Sequence, residues 1–307
     1  MLFRSRAGEI EDDSFTVHLH AARPDAELTD EAEWLRANPA LGDYRDLEEL
    51  RQTMHRAEKV PSLEASVRNL YLNQRVQAKA PFLTASVWKL GDGAVDETLL
   101  YDGRPVWGGL DLSARTDLSA LVLAAQDDDG IVHLFPRIWT PADTLADRGL
   151  RDRAPYKVWA DQDLLIPVPG SALDYDFLAA DIGEMSRTMA FARIAYDRWR
   201  IDVFKQSLAR LGILVDLMPF GQGFKDMSPA IEIFEQLALE GRLRHGGHPV
   251  LRWAVSNAIV ERDAADNRKL TKRKSFGRID PAVAAIMAVA AMKLQTESTL
   301  DLAAIVF

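Results

Sequence analysis

Three aspartates in this chain of 307 residues stand where a carboxylate is costly or conspicuous. Asp111 lies among Gly109, Leu110 and Leu112, inside the apolar run Val106–Leu112. An ionised carboxylate in a buried strand needs a cation or a metal ion to offset its lost hydration. Asp197 closes a second apolar run, Phe191–Tyr196, at the carboxyl end, where open sheets place their ligands. Asp280 opens an Ala-rich helical stretch directly after the most basic loop. Three carboxylates from distant positions, each at an element terminus, make a hard-oxygen set suited to Mg2+ or Mn2+. Two such ions, about 3.5–4 Å apart and bridged by a shared carboxylate such as Asp111, would activate water and stabilise the leaving oxygen of a phosphodiester.

Plainer readings stand beside these. Asp280 before Pro281 is what a helix N-cap requires, and Asp197 next to Arg198 could form a loop ion pair. Asp111 is the hardest of the three to explain away. Asp117 follows a Thr at a polar hinge and reads as a turn residue, with an auxiliary place at the metal site as its alternative. Asp174, Asp176 and Asp181 are assigned to helix capping and surface.

Just before Asp280 runs Arg268-Lys269-Leu270-Thr271-Lys272-Arg273-Lys274, with five cations. Beside a metal site, Arg268, Lys269, Lys272, Arg273 and Lys274 could hold DNA phosphates and screen developing charge. Phosphate contacts carry no sequence information, so weak base preference is expected. The loop has no interleaved aromatics, which speaks against single-strand stacking. The whole chain is acidic, at −9, but Arg242–Arg278 carries ten Lys or Arg against three Asp or Glu. A basic stretch on an acidic body suits local contact with a phosphate backbone, and a solvated loop explains the charge equally well.

Other features exclude more than they suggest. With no cysteine, disulfides, thiolate metal sites and Cys nucleophiles are ruled out. No apolar run reaches about 18 residues, so no membrane span is expected. His18 and His20 alternate on one face of a candidate strand, Phe15–Ala21, without a third ligand at useful spacing. Gly221-Gln222-Gly223-Phe224-Lys225 lacks phosphate-loop spacing and reads as a flexible turn. No ATPase activity is therefore expected from this chain alone.

The elements that must position these residues follow from the pattern. Helices are expected at Thr29–Ala37, Asp46–Lys59 and Ser62–Val76, three amphipathic pieces that make a poor core alone and should pack on something else. Residues 1–103 form this first part, with the acidic, Gly-punctuated Gly91–Gly103 as boundary. Residues 104–296 then give strands at Val106–Leu112, Leu118–Ala125 and Ile131–Trp139, the last two joined by Asp127-Asp128-Asp129-Gly130. Asp143–Asp161 is helical or irregular, and Leu164–Val168 a short strand. Alternation follows, with a helix to about Arg187, strand Phe191–Tyr196, helix Ile201–Leu211, strand Ile213–Met218 and a helix from Ser228-Pro229 to Glu240. His248–Ser256 is read as helix, Ala258–Arg262 as strand and Asp280–Leu294 as the last helix, with 297–307 a tail. This order is α/β, a mixed sheet flanked by helices and consistent with a ribonuclease H-like fold. A crossover would return Phe191–Tyr196 beside the first strand, and Asp197 towards Asp111.

The series GGLDLSARTDLSALVL, DRAPYKVWADQDLL, ALDYDF, IAYDRW, MPFGQGFKDMSPA, LEGRLRHGGHPVLRWAVSNAIV and KRKSFGRIDPAVAAIMAV closely resembles the nuclease half of the large terminase subunit of tailed bacteriophages. The resemblance runs from about Trp107 to Met292, and EAEWLRANPALGDY and LEASVRNLYLNQRV are similar to the family's ATPase-end and linker segments. It implies a ribonuclease H-like, metal-dependent endodeoxyribonuclease that cuts concatemeric phage DNA around packaging, in the host cytoplasm. It carries the metal-ligand role onto Asp111, Asp197 and Asp280, and puts Lys272 and Lys274 in the family's Lys-rich run. Partners implied are double-stranded DNA, a portal protein, the terminase small subunit and an ATPase motor segment. Two departures stand out: the sequence begins near the motor's last strand, as a split, truncated or prophage-derived product would, and Pro281 replaces a common Gly. Two rival readings remain, an idle module that binds packaging partners and a transposase or resolvase of the same fold.

Overall fold

The computed structural model describes residues 18–43, 45–59, 61–74, 82–113, 117–198, 201–271 and 277–304. The chain divides into two compact units, Met1–Ala80 and Pro81–Phe307. Residues 82–103, grouped with the N-terminal part on sequence, thus belong to the second unit.

In the first unit α1 (Glu31–Ala37), α2 (Leu47–Lys59) and α3 (Pro61–Tyr71) follow in order. Asp30 starts α1 by accepting from the amides of Ala32 and Glu33, and Pro39 keeps Asn38 out of the helical region, so the helix ends at Ala37. These helices gather a core of their own around Trp34, Leu50, Met54 and Leu72, more than was expected of them. The reason is a set of backbone crosslinks. The Trp34 indole donates to the Leu28 carbonyl at 2.7 Å, and the Asn38 and Asn73 amides donate to the carbonyls of Tyr71 and Ala37. Of the candidate strand Phe15–Ala21, residues 15–17 lie outside the described residues, and His18–Ala21 is irregular, with both histidines exposed.

The second unit begins with α4 (Ala85–Lys89) and a single 3-10 turn, Glu97–Leu100. Then come β1 (Val106–Asp111), β2 (Ser119–Gln126) and β3 (Val132–Pro141), antiparallel neighbours in sequence order. The β2–β3 turn forms as its residues dictate: Gly130 takes φ +77°, and Asp127 accepts from the Ile131 amide at 2.8 Å. Two helices, α5 (Leu145–Asp152) and α6 (Tyr156–Asp161), precede β4 (Ile166–Val168). After these come α7 (Tyr175–Ser186), β5 (Phe191–Asp197), α8 (Ile201–Arg210), β6 (Leu217–Phe220) and α9 (Phe224–Leu239). The chain continues through β7 (Leu243–Arg244), α10 (Pro249–Asn257), the hairpin β8 (Val260–Arg262) and β9 (Arg268–Leu270), and finally α11 (Asp280–Ala304). Among the described residues no helix is long and apolar enough to cross a membrane.

The main sheet has the order β4-β3-β2-β1-β5-β6, with β7 also paired to β3. β5 lies parallel to β1 and β6 parallel to β5, so the expected return of Phe191–Tyr196 to the side of the first strand is realised. Period-two alternation splits β2 between the faces. Ala120, Val122 and Ala124 face one core with α9, α10 and α11, while Leu121 and Leu123 face the other with α7 and α8. The small residues on the first face admit α11 closely. From Ala282 to Met292 that helix is buried on every side, as an all-round apolar helix must be.

Some boundaries differ from expectation. α9 starts at Phe224, with Gly223 as N-cap and Pro229 inside the helix, rather than at Ser228-Pro229. α11 extends to Ala304, into the expected tail, because no Gly or Pro interrupts it after Pro281. The carbonyl of Ile279 accepts from the amides of Ala282 and Val283, so Ile279 holds the N-cap position. Asp280 is therefore the first residue inside the helix, not its cap.

Candidate active site at the carboxyl edge of the sheet

β1 and β5 bring two of the three aspartates to one place. Their register pairs Gly109 with Ala195 and Leu110 with Tyr196, so Asp111 and Asp197 follow at the next position on adjacent strands. Neighbouring strands run about 4.7–4.9 Å apart. Ala195 faces the core that contains α11 and Tyr196 the opposite core. Asp197, two residues beyond Ala195, therefore lies on the α11 face. A Cβ on Gly109 would meet Ala284 and Ala288 of α11, so Asp111, two beyond Gly109, shares that face.

Asp280 reaches the same edge along the helix. α11 runs opposite to β1: Lys293 bonds Gln126 at the far end of β2, while Arg278 bonds Asp117 just before β2 begins. From Ala284 back to Asp280 is about 6 Å of helix, and from Gly109 on to Asp111 about 6.6 Å of strand. Both paths cover the same distance to the same edge. Asp111 and Asp280 are 1% and 3% exposed, and Asp197 is partly buried.

The donor chemistry, carboxylate oxygens under heavy burial, fits a hard divalent cation. As they stand, the side chains do not form a finished cage, for among the described residues no group of three His, Asp or Glu is arranged to hold an ion. Asp111 Oδ1 instead accepts from the Gln222 amide at 3.1 Å. Gln222 lies in the Gly-Gln-Gly turn between β6 and α9, and Phe220, which precedes that turn, pairs with Asp197. The turn is closely fitted, since a Cβ on Gly221 would fall 2.1 Å from the Asp226 carboxylate. A segment read as a flexible turn therefore supplies a hydrogen bond to the most buried acid, and only the neighbouring strand end hinted at it.

Asp117 stands in an arginine cluster. Its carboxylate meets Arg278 at 2.5 Å, Arg148 at 3.6 Å and Arg151 at 4.0 Å. Burial pushes its pKa up; Arg278 opposes this, Asp280 adds to it and Arg148 opposes it again. Asp152, at the end of α5, takes Arg151 at 2.8 Å, the Tyr156 hydroxyl at 2.9 Å and Arg278 at 3.4 Å. Burial works against ionised Asp152, but Arg151, Tyr156 and Arg278 outweigh it and hold its pKa below the usual range. Sequence reasoning missed this network, which joins residues up to 161 positions apart.

The basic stretch is placed only in part. Lys272, Arg273 and Lys274 lie outside the described residues. Arg268 pairs with Glu235 of α9 at 2.5 Å, and Lys269 sits over the Phe224 ring, 3.8 Å from Glu261. Both thus have partners within the protein. Asp174 caps α7 as expected, whereas Asp181 takes both Arg137 and the Trp139 indole.

Residues 9–296 match the model of the family described as terminase large subunit, endonuclease domain. The chain belongs to that family. It is 46% identical over 280 residues to the large terminase subunit of Enterobacteria phage HK97, covering 91% of this chain and 55% of that relative. The crystal structure of the HK97 large terminase superposes with a TM-score of 0.65 at 44% identity, over 94% of this chain and 60% of that one. Protein YmfN of Escherichia coli K12 is 24% identical over 309 residues, 96% of this chain and 67% of its own. The chain thus spans little more than half the length of the phage relative. Its mixed sheet flanked by helices matches the ribonuclease H-like fold of terminase nuclease domains.

Proposed function

We propose that this chain is the endodeoxyribonuclease part of a phage terminase large subunit, which cuts concatemeric viral DNA in the host cytoplasm during packaging. The observation that carries the reading is the common edge of Asp111, Asp197 and Asp280, two of them almost fully buried. Carboxylates collected in this way are too costly to serve stability, and a chain of this family has a use for them. In this reading all three ligate Mg2+ or Mn2+, with Asp111 shared between two ions. Bound ions supply the activation of water and the stabilisation of the leaving oxygen. Gln222 orients the Asp111 carboxylate. Lys272 and Lys274, with Arg268, Lys269 and Arg273, hold the phosphates of double-stranded DNA, and portal, small subunit and ATPase motor are the partners.

Nicking of supercoiled plasmid in millimolar Mn2+ tests it. Wild-type protein should cut, a chelator should stop it, and Asp111→Asn, Asp197→Asn and Asp280→Asn should each reduce cutting to background. Undiminished cutting by Asp111→Asn would remove that residue from the site. A second reading is an idle module that contacts packaging partners. Calorimetry separates the two, since an idle module binds no Mg2+ or Mn2+ at millimolar concentration.

A further inference from the structure

Arg278 lies two residues before Asp280 and ties three segments together. Its Nη1 is 2.5 Å from Asp117 Oδ2, at the entry to β2, and its Nε is 3.4 Å from Asp152 Oδ2, at the end of α5. Both anchors are themselves fixed. The Leu118 amide and Arg148 hold Asp117, and Arg151 and Tyr156 hold Asp152. Arg148 is 4% exposed, and its Nε and Nη2 have no hydrogen-bond partner, so a buried cation near Asp117 is kept at some energetic cost. Such a cost is tolerable where the charge balance around neighbouring acids matters.

We propose that Arg278 is a positioning residue, which fixes the start of α11 against the entry to β2 and thereby sets Asp280 opposite Asp111. The proposal rests on the reading of the three aspartates as metal ligands. Its chemistry is a planar fork gripping carboxylates on two separate segments, which a Lys at 278 cannot reproduce. Without the fork, Asp117 and Asp152 lose the guanidinium they share, and the first turn of α11 moves away from β1.

The test uses the full chain with Arg278→Lys, Arg278→Gln, Asp117→Asn and the Arg278→Gln/Asp117→Asn pair. Readouts are the Mn2+ binding isotherm by calorimetry, kcat and KM for plasmid nicking, and the salt dependence of DNA binding. Arg278→Gln should raise the Mn2+ concentration for half-saturation by about tenfold, the scale of a lost outer-shell contact. Its kcat should recover at high Mn2+, with KM and the salt slope unchanged. Arg278→Lys should fall in between, and the double variant should be no worse than Arg278→Gln alone, because one link is lost in either case. A normal Mn2+ isotherm with a salt slope shallower by about one would make Arg278 a phosphate contact instead and overturn the proposal. So would variants indistinguishable from a wild type that binds Mn2+ and cuts. A wild type that does neither overturns the functional reading, and this proposal with it.

Discussion

Gly109→Ala is the perturbation that bears most directly on how the site is assembled. A Cβ at this position would stand 2.0 Å from the Ala284 carbonyl oxygen and 2.5 Å from the Ala288 amide nitrogen. Both atoms belong to the backbone of α11 and cannot rotate aside. Ordinary contact begins at 3.4 Å, so the helix would have to retreat by about 1.4 Å. Overpacking of this kind costs about 1–3 kcal/mol. In a unit of this size each kcal/mol lowers Tm by about 2–4 °C, so a fall of about 2–12 °C is expected. The retreat carries Asp280 away from Asp111, and a misplacement of about 1 Å is worth about 10²-fold in rate. Gly108→Ala is the control on the opposite face. Its Cβ would meet Ile194 Cγ1 at 3.0 Å and Leu121 Cδ1 at 3.2 Å, side-chain rather than backbone atoms that need give way by only a few tenths of an ångström. Differential scanning fluorimetry and Mn2+-dependent nicking should therefore show Gly109→Ala less stable and about 10²-fold slower, and Gly108→Ala mildly destabilised and active. Unchanged Tm and cutting in Gly109→Ala, or equal loss in both, would refute a close seating of α11 on β1 as the device that sets the acids.

Two further outcomes are expected. Burial lowers the His248 pKa to about 4 from 6.5, helped by His245 nearby. The unfolded chain thus binds the extra proton first, so this contribution is complete above about pH 6.5 and is lost as pH falls towards 4, by up to about 3 kcal/mol. Urea titrations from pH 7 to 4.5 should show it, and His248→Asn, which keeps a capping acceptor for the Leu251 amide, should flatten the slope; an equal slope in the variant would exclude His248 as the cause. Affinity for duplex DNA should fall steeply with salt, and Lys272→Ala or Lys274→Ala should each lower the log–log slope by about one. A flat response in the wild type would leave the basic stretch without a role in holding phosphates.

Much of the sheet was legible because its signals are local. The Asp127–Gly130 turn, the alternation in β2 and the apolar run of β5 are decided within a few residues of chain. The errors fall where tertiary context overrides such signals. β6 was expected at Ile213–Met218 but forms at Leu217–Phe220, across Pro219. Proline cannot donate to a ladder, yet β6 is the outermost strand beside β5, and an edge tolerates it. Pro229 reads as a helix start, but the helix begins at Phe224, five residues earlier, and the proline is absorbed inside. At the candidate site, the burial of Asp111 was legible as an acid in an apolar run. Gln222 and the Arg278 bridge were not, since their partners lie 111 and 161 positions away, and no local pattern encodes such a meeting.

The unfinished arrangement of the carboxylates follows from the same electrostatics. Three acids at one edge repel each other, and burial magnifies the repulsion because the local dielectric is low. A hydrogen-bond donor eases that repulsion, and Asp111 accepts one from the Gln222 amide at 3.1 Å. Such a bond is worth about 1.5–3 kcal/mol when the acceptor is charged, whereas stripping water from a buried carboxylate costs several kcal/mol. A divalent cation would offset far more, and a carboxylate has lone pairs enough to keep the amide while it binds. The backbone already does what side-chain rotation cannot: it fixes β1, β5 and the start of α11 at one edge, through the Gly109 contact on one side and Arg278 on the other. In the proposed reading, a divalent ion would meet carboxylates carried by backbone that is already in place.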